Sequence, residues 1–328
     1  MRRRVLIAGL AVTAVGPMVW AQDAGRQRRV AVLSNHAEKD PLTQSVKAAF
    51  EGGLAEQGWQ PGRNLRIDYR WGSSEVSRYP KYAQELLALA PDVLVAGGGT
   101  NVARVLQQAT STVPIVFTLA TDPVGGGLVA SLARPGGNIT GLSQREFGLG
   151  GKSLELLKQL APDLRRVVVL RDPSTTGGTG QFGAMQAVAP SLRLELTPVD
   201  VRTPAAIEQG LAAFARGSGG GMIVTTSSAV RTHRKVLIKL AHEHRLPAIY
   251  PYSFIVEEGG LCSYGVDEAA AYRSATVYVA RILKGEKAGD LPVQQPTKFE
   301  LVINQRTARE IGLAIPQPVL LRADKVIN

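Results

Sequence analysis

Several short runs of uninterrupted apolar residues set the terms for this chain: RVAVL at 29–33, DVLVA at 92–96, IVFTL at 115–119, RVVVL at 166–170 and MIVTT at 222–226. A strand that is apolar on both faces must be covered on both faces. That is the signature of a parallel sheet whose strands are joined by helices. Each run leads into a polar or glycine-bearing loop and then into a segment of helical spacing. The chain therefore reads as an array of βα units.

In order, strands are expected at 29–33, 65–71, 92–96 and 113–119, with helices at 42–57, 79–89 and 100–109 between them. Val46, Phe50 and Leu54 carry the helical spacing of the first helix, and Gly58 stops it. The pattern then repeats. Helices are expected at 149–160, 181–188, 205–215 and 229–244, and strands at 166–170, 192–199, 222–226 and 246–250, with 171–180 as a loop. The tail reads as a strand at 260–265, a helix at 269–283, an extended segment at 290–297, a strand at 298–303 and a helix at 305–311.

Two arrays of similar size in 328 residues imply an α/β protein of two Rossmann-like lobes with parallel sheets, joined by a multi-crossing hinge. The stretch TDPVGGGLVASLARPGGNITG at 121–141 ends the first array, and its Pro-Gly-Gly-Asn turn starts the crossing to the second. The expected division is lobe one from 28–142 plus 254–289, and lobe two from 143–253 plus 290–328. Ligands of open parallel sheets sit beyond the carboxyl ends of the strands, so the loops there are the candidate site.

The first 21 residues read as a secretory signal. Arg2, Arg3 and Arg4 precede an apolar run at 5–15, Gly16 and Pro17 break it, and Val19 and Ala21 suit cleavage after Ala21. The expected location is the periplasm; an uncleaved anchor is the alternative, and general secretion and the twin-arginine route both stay open. Removing the three arginines from the formal charge of +11 leaves +8. The remaining basic residues, such as Arg63, Arg66, Arg165, Arg231, Arg234 and Lys235, are scattered and not interleaved with aromatics, so no nucleic-acid partner is expected. Cys262 is the single cysteine and reads as a small buried strand residue.

Enzyme motifs fail on inspection. Gly150-Gly151-Lys152-Ser153 would need Glu146 to be glycine to complete a phosphate-binding loop. Gly97-Gly98-Gly99 lacks the third glycine of a dinucleotide fingerprint, since position 102 is valine. Arg145 replaces the last glycine of a nucleophile elbow around Ser143. His242 and His244 point about 200° apart on a helix, a poor metal pair. No catalytic residue, metal or cofactor is expected.

The strand-end loops supply polar groups of two kinds: carboxylates suited to a cationic group, and hydroxyls or helix N-termini suited to an anionic one. In lobe one these are Asn35, His36, Thr100, Asn101, Thr121 and Asp122. Asp122 would take a cationic group or bond across the cleft; its alternative is a turn former before Pro123. In lobe two they are Asp172, Ser174, Thr226 and Ser227, with Tyr250, Tyr252, Tyr264 and Asp267 near the crossings. Thr100, one of the hydroxyls after 222–226 and Asp267 are equally helix caps.

Longer motifs carry a family likeness. They are Gly98-Gly99-Thr100, PIVF at 114–117, TDPVGGGLVASLARPGGNITGLS at 121–143, RLPAIY at 245–250, GGLCSYG at 259–265, ILKG at 282–285 and LPVQQPTKFELVIN at 291–304. In these the chain resembles substrate-binding proteins of ABC transporters, in the type I periplasmic-binding fold and the branch whose characterised relatives bind aromatic amino acids such as tryptophan. The likeness spans essentially the whole chain after the signal. Two departures stand out: Cys262 where the family usually has methionine, and a loop at 171–180 unusually rich in glycine and threonine. The resemblance implies a monomeric solute receptor that closes on a small amino-acid-like or aromatic ligand and docks on permease subunits. A sensory subunit presenting its ligand to a membrane signalling protein is the alternative.

Overall fold

The computed structural model describes residues 26–144, 147–295 and 299–328. The expected signal and parts of two crossings lie outside them. The first lobe is built from β1 (Arg28–Ser34), α1 (Pro41–Glu56), β2 (Leu65–Trp71), α2 (Tyr79–Leu87), β3 (Val93–Gly97), α3 (Thr100–Ala109), β4 (Ile115–Thr121) and β5 (Ile139–Gln144). The second lobe continues with α4 (Gly148–Leu160), β6 (Arg166–Arg171), α5 (Thr176–Val188), β7 (Glu195–Asp200), α6 (Pro204–Phe214), β8 (Gly220–Val224), α7 (Ser228–Glu243), β9 (Ala248–Tyr250), α8 (Ser253–Glu257) and β10 (Cys262–Gly265). The chain then returns to lobe one as α9 (Glu268–Leu283). It ends in lobe two as β11 (Glu300–Asn304), α10 (Gln305–Ile311), α11 (Gln317–Leu320) and β12 (Lys325–Ile327).

The first sheet has the order β2-β1-β3-β4-β5 and is parallel throughout. Its strands show why unbroken apolar runs are needed. Val30, Val32, Val93 and Val95 face one side, with Phe50 and Leu54 of α1 and Tyr272, Ala275 and Val279 of α9. Ala31, Leu33, Leu94 and Ala96 face the other, with Tyr79, Ala83 and Leu86 of α2 and Val102 and Leu106 of α3. The second sheet has the order β12-β11-β10-β9-β8-β6-β7. Val167 and Val169 pack towards α4 and α5, and Val168 and Leu170 towards α6 and α7.

Four expectations need correcting. The division at 254 misplaces a strand: β10 pairs with β9 and β11 in the second sheet, so the chain re-enters lobe one only at α9. The second sheet is mixed, because β11 runs antiparallel to β10. The chain leaves β10 at the cleft end and returns through the hinge at that same end, which forces the reversal. The loop expected at 171–180 is largely helix, since α5 starts at Thr176 behind a Thr175 cap whose hydroxyl accepts from Gly178 N–H at 3.1 Å. Its glycines are poor helix formers, but two of them are required by close packing: a Cβ at Gly178 would collide with the Asp172 carbonyl, and one at Gly180 with the Phe147 ring. Finally, α11 and β12 extend the tail beyond the expected last helix.

Two of the hinge segments run side by side. Ser143 N–H donates to Gln294 O at 2.9 Å and Gln294 N–H to Gly141 O at 3.1 Å, a short parallel bridge. Among the described residues no helix is long and apolar enough to cross a membrane.

Candidate functional site

In each sheet the first strand lies between the second and third, so the connections depart in opposite directions and leave a crevice at the strands' carboxyl ends. The loops after β1 and β3 in one lobe, and after β6 and β8 in the other, face each other across the cleft. Between them lies a pocket of about 330 Å³, within the range of small-molecule sites.

The lobes meet across this pocket. Arg231, on α7 of lobe two, ion-pairs with Glu268, the first residue of α9 on lobe one. Arg231 is 8% exposed and Glu268 7%. The guanidinium lies 4.1 Å from the Tyr252 ring centroid and 5.2 Å from that of Phe254, stacking that holds its plane in place. On its other side Glu268 accepts from His36 Nε2 at 2.9 Å, and His36 Nδ1 meets Ser34 Oγ at 2.8 Å. Ser34 Oγ in turn lies 3.2 Å from Tyr272 OH. Burial alone would raise the Glu268 carboxyl, but the Arg231 charge and the His36 and Arg231 hydrogen bonds outweigh it and hold it down to about 2. Burial likewise opposes the Arg231 charge, and Glu268 more than restores it. The pocket floor is thus an ionised pair contributed by both lobes. Burial also raises the Tyr252 phenol, which stays neutral.

Lobe one adds two polar groups that the protein itself leaves unsatisfied. The Asn35 amide donates to Gly98 O, while its Oδ1 is buried without a partner. A Cβ at Gly98, whose φ is +85°, would occupy the space of that amide, so glycine is required there. The second group is the start of α3. Its cap, Gly99, has no side chain to satisfy the first N–H groups, which leaves them for an anion. Three other helix starts beside the pocket are already capped: α5 by Thr175, α7 by Ser227 through Val230 N–H at 3.3 Å, and α9 by Asp267 through Ala270 N–H at 3.1 Å.

Of the residues expected from the sequence, Asn35, Thr100, Asn101, Thr121, Ser174, Thr226, Ser227 and Tyr252 all line this pocket. Thr100 is largely committed within the protein, since its hydroxyl donates to Thr121 O and accepts from Thr121 N–H, both at 3.0 Å. Six others are elsewhere. His36 stands behind Glu268. Asp122, at φ +46°, turns its carboxylate back to accept from Gly125 N–H at 2.9 Å. Asp172 accepts from the N–H and hydroxyl of Ser174, at 2.9 and 2.5 Å, and so positions that residue. Tyr250 and Tyr264 border a separate hole too small for more than a water, and Asp267 is the α9 cap.

Sequence reasoning missed Arg231, Glu268, Gln144, Leu119 and Gly177, all in the lining. In sequence Arg231 is one of several scattered basic residues, and a first-turn glutamate after a capping aspartate looks like a favourable charge on a helix dipole. The clue available was position: both follow a cap at a strand's carboxyl end. Among the described residues no group of three or more His, Cys, Asp or Glu is placed to hold a metal ion.

Two α/β lobes that close a polar pocket between their strand ends, over an ion pair shared by both, define a type I periplasmic-binding architecture. Within it, the chain belongs to the ABC transporter substrate binding protein family, whose model matches residues 29–327. A tyrosine-binding protein of Clostridioides difficile is 26% identical over 292 residues, covering 89% of this chain and 83% of that one. An ABC domain from Streptococcus pneumonia, solved in complex with L-Trp, superimposes with a TM-score of 0.83 at 26% identity, covering 92% of this chain and all of that one. A conserved domain protein from Vibrio cholerae superimposes at 0.84 with 29% identity and the same coverage. The protein is therefore a solute receptor of the substrate-binding class.

Proposed function

We infer that this receptor binds an aromatic amino acid between its lobes and delivers it to an ABC importer. The observation that carries the reading is one pocket holding both an ionised buried Glu268 with the unpartnered Asn35 Oδ1, and the uncapped start of α3. The first pair suits an ammonium group and the second a carboxylate, which are the two ends of a free amino acid. Tyr252 offers an aromatic face, and the tyrosine- and tryptophan-binding relatives favour an aromatic side chain.

The receptor acts as a monomer in the periplasm, exported by the segment at 1–21 and docking on permease subunits when closed. Its role is binding rather than catalysis. The ligand raises the closed fraction only by its differential affinity for that state. Native mass spectrometry of the purified protein, followed by titration calorimetry with the twenty amino acids, tests the reading. Tyrosine, tryptophan or phenylalanine should bind best; a preference for a sugar or an acidic solute would overturn it.

A further inference from the structure

Leu119, in the pocket lining, stands apart from its neighbours by its backbone geometry. It lies near the end of β4 with φ at +58°, a left-handed conformation that a branched side chain rarely adopts. The register against β5 slips at the same place, between Thr118 and Ala120, so Leu119 is the extra residue of a bulge. Bulges re-aim a side chain.

The surrounding hydrogen bonds fix that backbone from both sides. Thr118 accepts from Gly98 N–H through its hydroxyl and from Gly99 N–H through its carbonyl, at 3.1 and 3.2 Å. Thr121 is pinned by Thr100. Strain held in this way is characteristic of ligand sites.

The side chain is 5% exposed, yet it belongs to neither core cluster of its lobe, although Phe117 and Ala120 beside it do. It lines the pocket instead. The lining has one other aliphatic side chain, Val102, and that one is part of the core between the sheet and α3.

We propose that Leu119 is the specificity-determining wall of the pocket, turned out of the core by the bulge to contact the apolar part of the bound solute. The assignment rests on the reading that an amino acid occupies the cleft and deepens it: the preference for an aromatic over a small or acidic side chain is set in part by this leucine.

The test compares Leu119→Gly and Leu119→Ala with the wild type. Glycine accepts the left-handed backbone and alanine does not, so the unliganded Gly variant should melt above the Ala variant, the reverse of the usual order in a strand. Neither should lose the roughly 6 °C or more that truncating a core leucine would remove. Both should bind L-tyrosine about ten-fold more weakly by calorimetry.

An Ala variant that melts above the Gly variant, or a core-sized loss in both variants, would overturn the assignment. So would undiminished L-tyrosine affinity in both when the wild type binds it. A wild type that binds none of the twenty amino acids would instead remove the amino-acid reading, and this inference with it.

Discussion

Arg231 and Glu268 form a buried ion pair whose two members come from opposite lobes. It exists only while the lobes are together. Opening the cleft separates a guanidinium from a carboxylate and returns both to water, so the pair couples the hinge to the ligand site.

Replacing Arg231 by alanine should therefore act on closure more than on folding. It leaves Glu268 buried with His36 but without its guanidinium partner in the closed state, at a cost of about 3 kcal/mol. Ligand affinity by calorimetry should fall roughly a hundred-fold, with a much smaller change in the melting temperature of the unliganded protein. Lysine should rescue only in part, because it cannot stack flat on Tyr252.

The same pair fixes the direction of a pH effect. Glu268 is held at about 2, below its ordinary 4.5. A depressed carboxyl contributes its full stabilisation above the unfolded value and loses it as pH falls through the folded one. Its contribution should be constant above about pH 5.5 and decline from there towards pH 2. Thermal melts of the liganded protein across that range, in parallel with Glu268→Gln, check this: the substitution should flatten the acid limb.

Gly177 gauges the closeness of the lobes. It sits in the first turn of α5, where a Cβ would lie 3.2 Å from Thr121 Cγ2 of the other lobe. Alanine should stabilise the helix by up to about 1 kcal/mol while crowding the closed cleft. The expected signature is an unchanged or higher melting temperature with weaker ligand binding, and valine should enlarge the affinity loss.

Asp122→Ala should show the opposite division. The carboxylate serves its own turn through Gly125 N–H, so removing it should cost about 1 kcal/mol of stability and leave ligand affinity within two-fold. A large affinity loss would return Asp122 to the ligand.

Cys262 is fully buried, and burial pushes its thiol well above the ordinary range. It should resist thiol reagents at pH 8 in the native protein and react promptly in denaturant.

Most of the architecture could be read from the chain because two-faced burial leaves a strong trace. After their first residue RVAVL and DVLVA are wholly apolar, and the helices between them keep their spacing. The pocket lining was legible where a loop residue is polar and local, as at Asn35, Thr100 and Ser174. It was not where function depends on partners far apart in sequence. Nothing near Arg231 announces Glu268, and nothing near position 119 announces a bulge. The glycines of 176–180 misled for a related reason: local propensity argues for a loop, and tertiary contact with Asp172 and Phe147 makes the helix. Asp122 and Asp267 were chemically suited to a ligand but are consumed by backbone N–H groups a few residues on.

The return of α9 to the first lobe also bears on the order in which the molecule can be assembled. Ser34 meets Tyr272 across 238 positions of chain, and the Val30 face of the first sheet is completed by residues of α9. During synthesis the N-terminal strands emerge early, yet the helix that seals them follows nearly the whole of the other lobe. The first domain to be translated is thus among the last to be finished. A circular permutant beginning at the α9 segment should lift this delay and refold its first lobe faster, with α9 still seated on the same face of the first sheet.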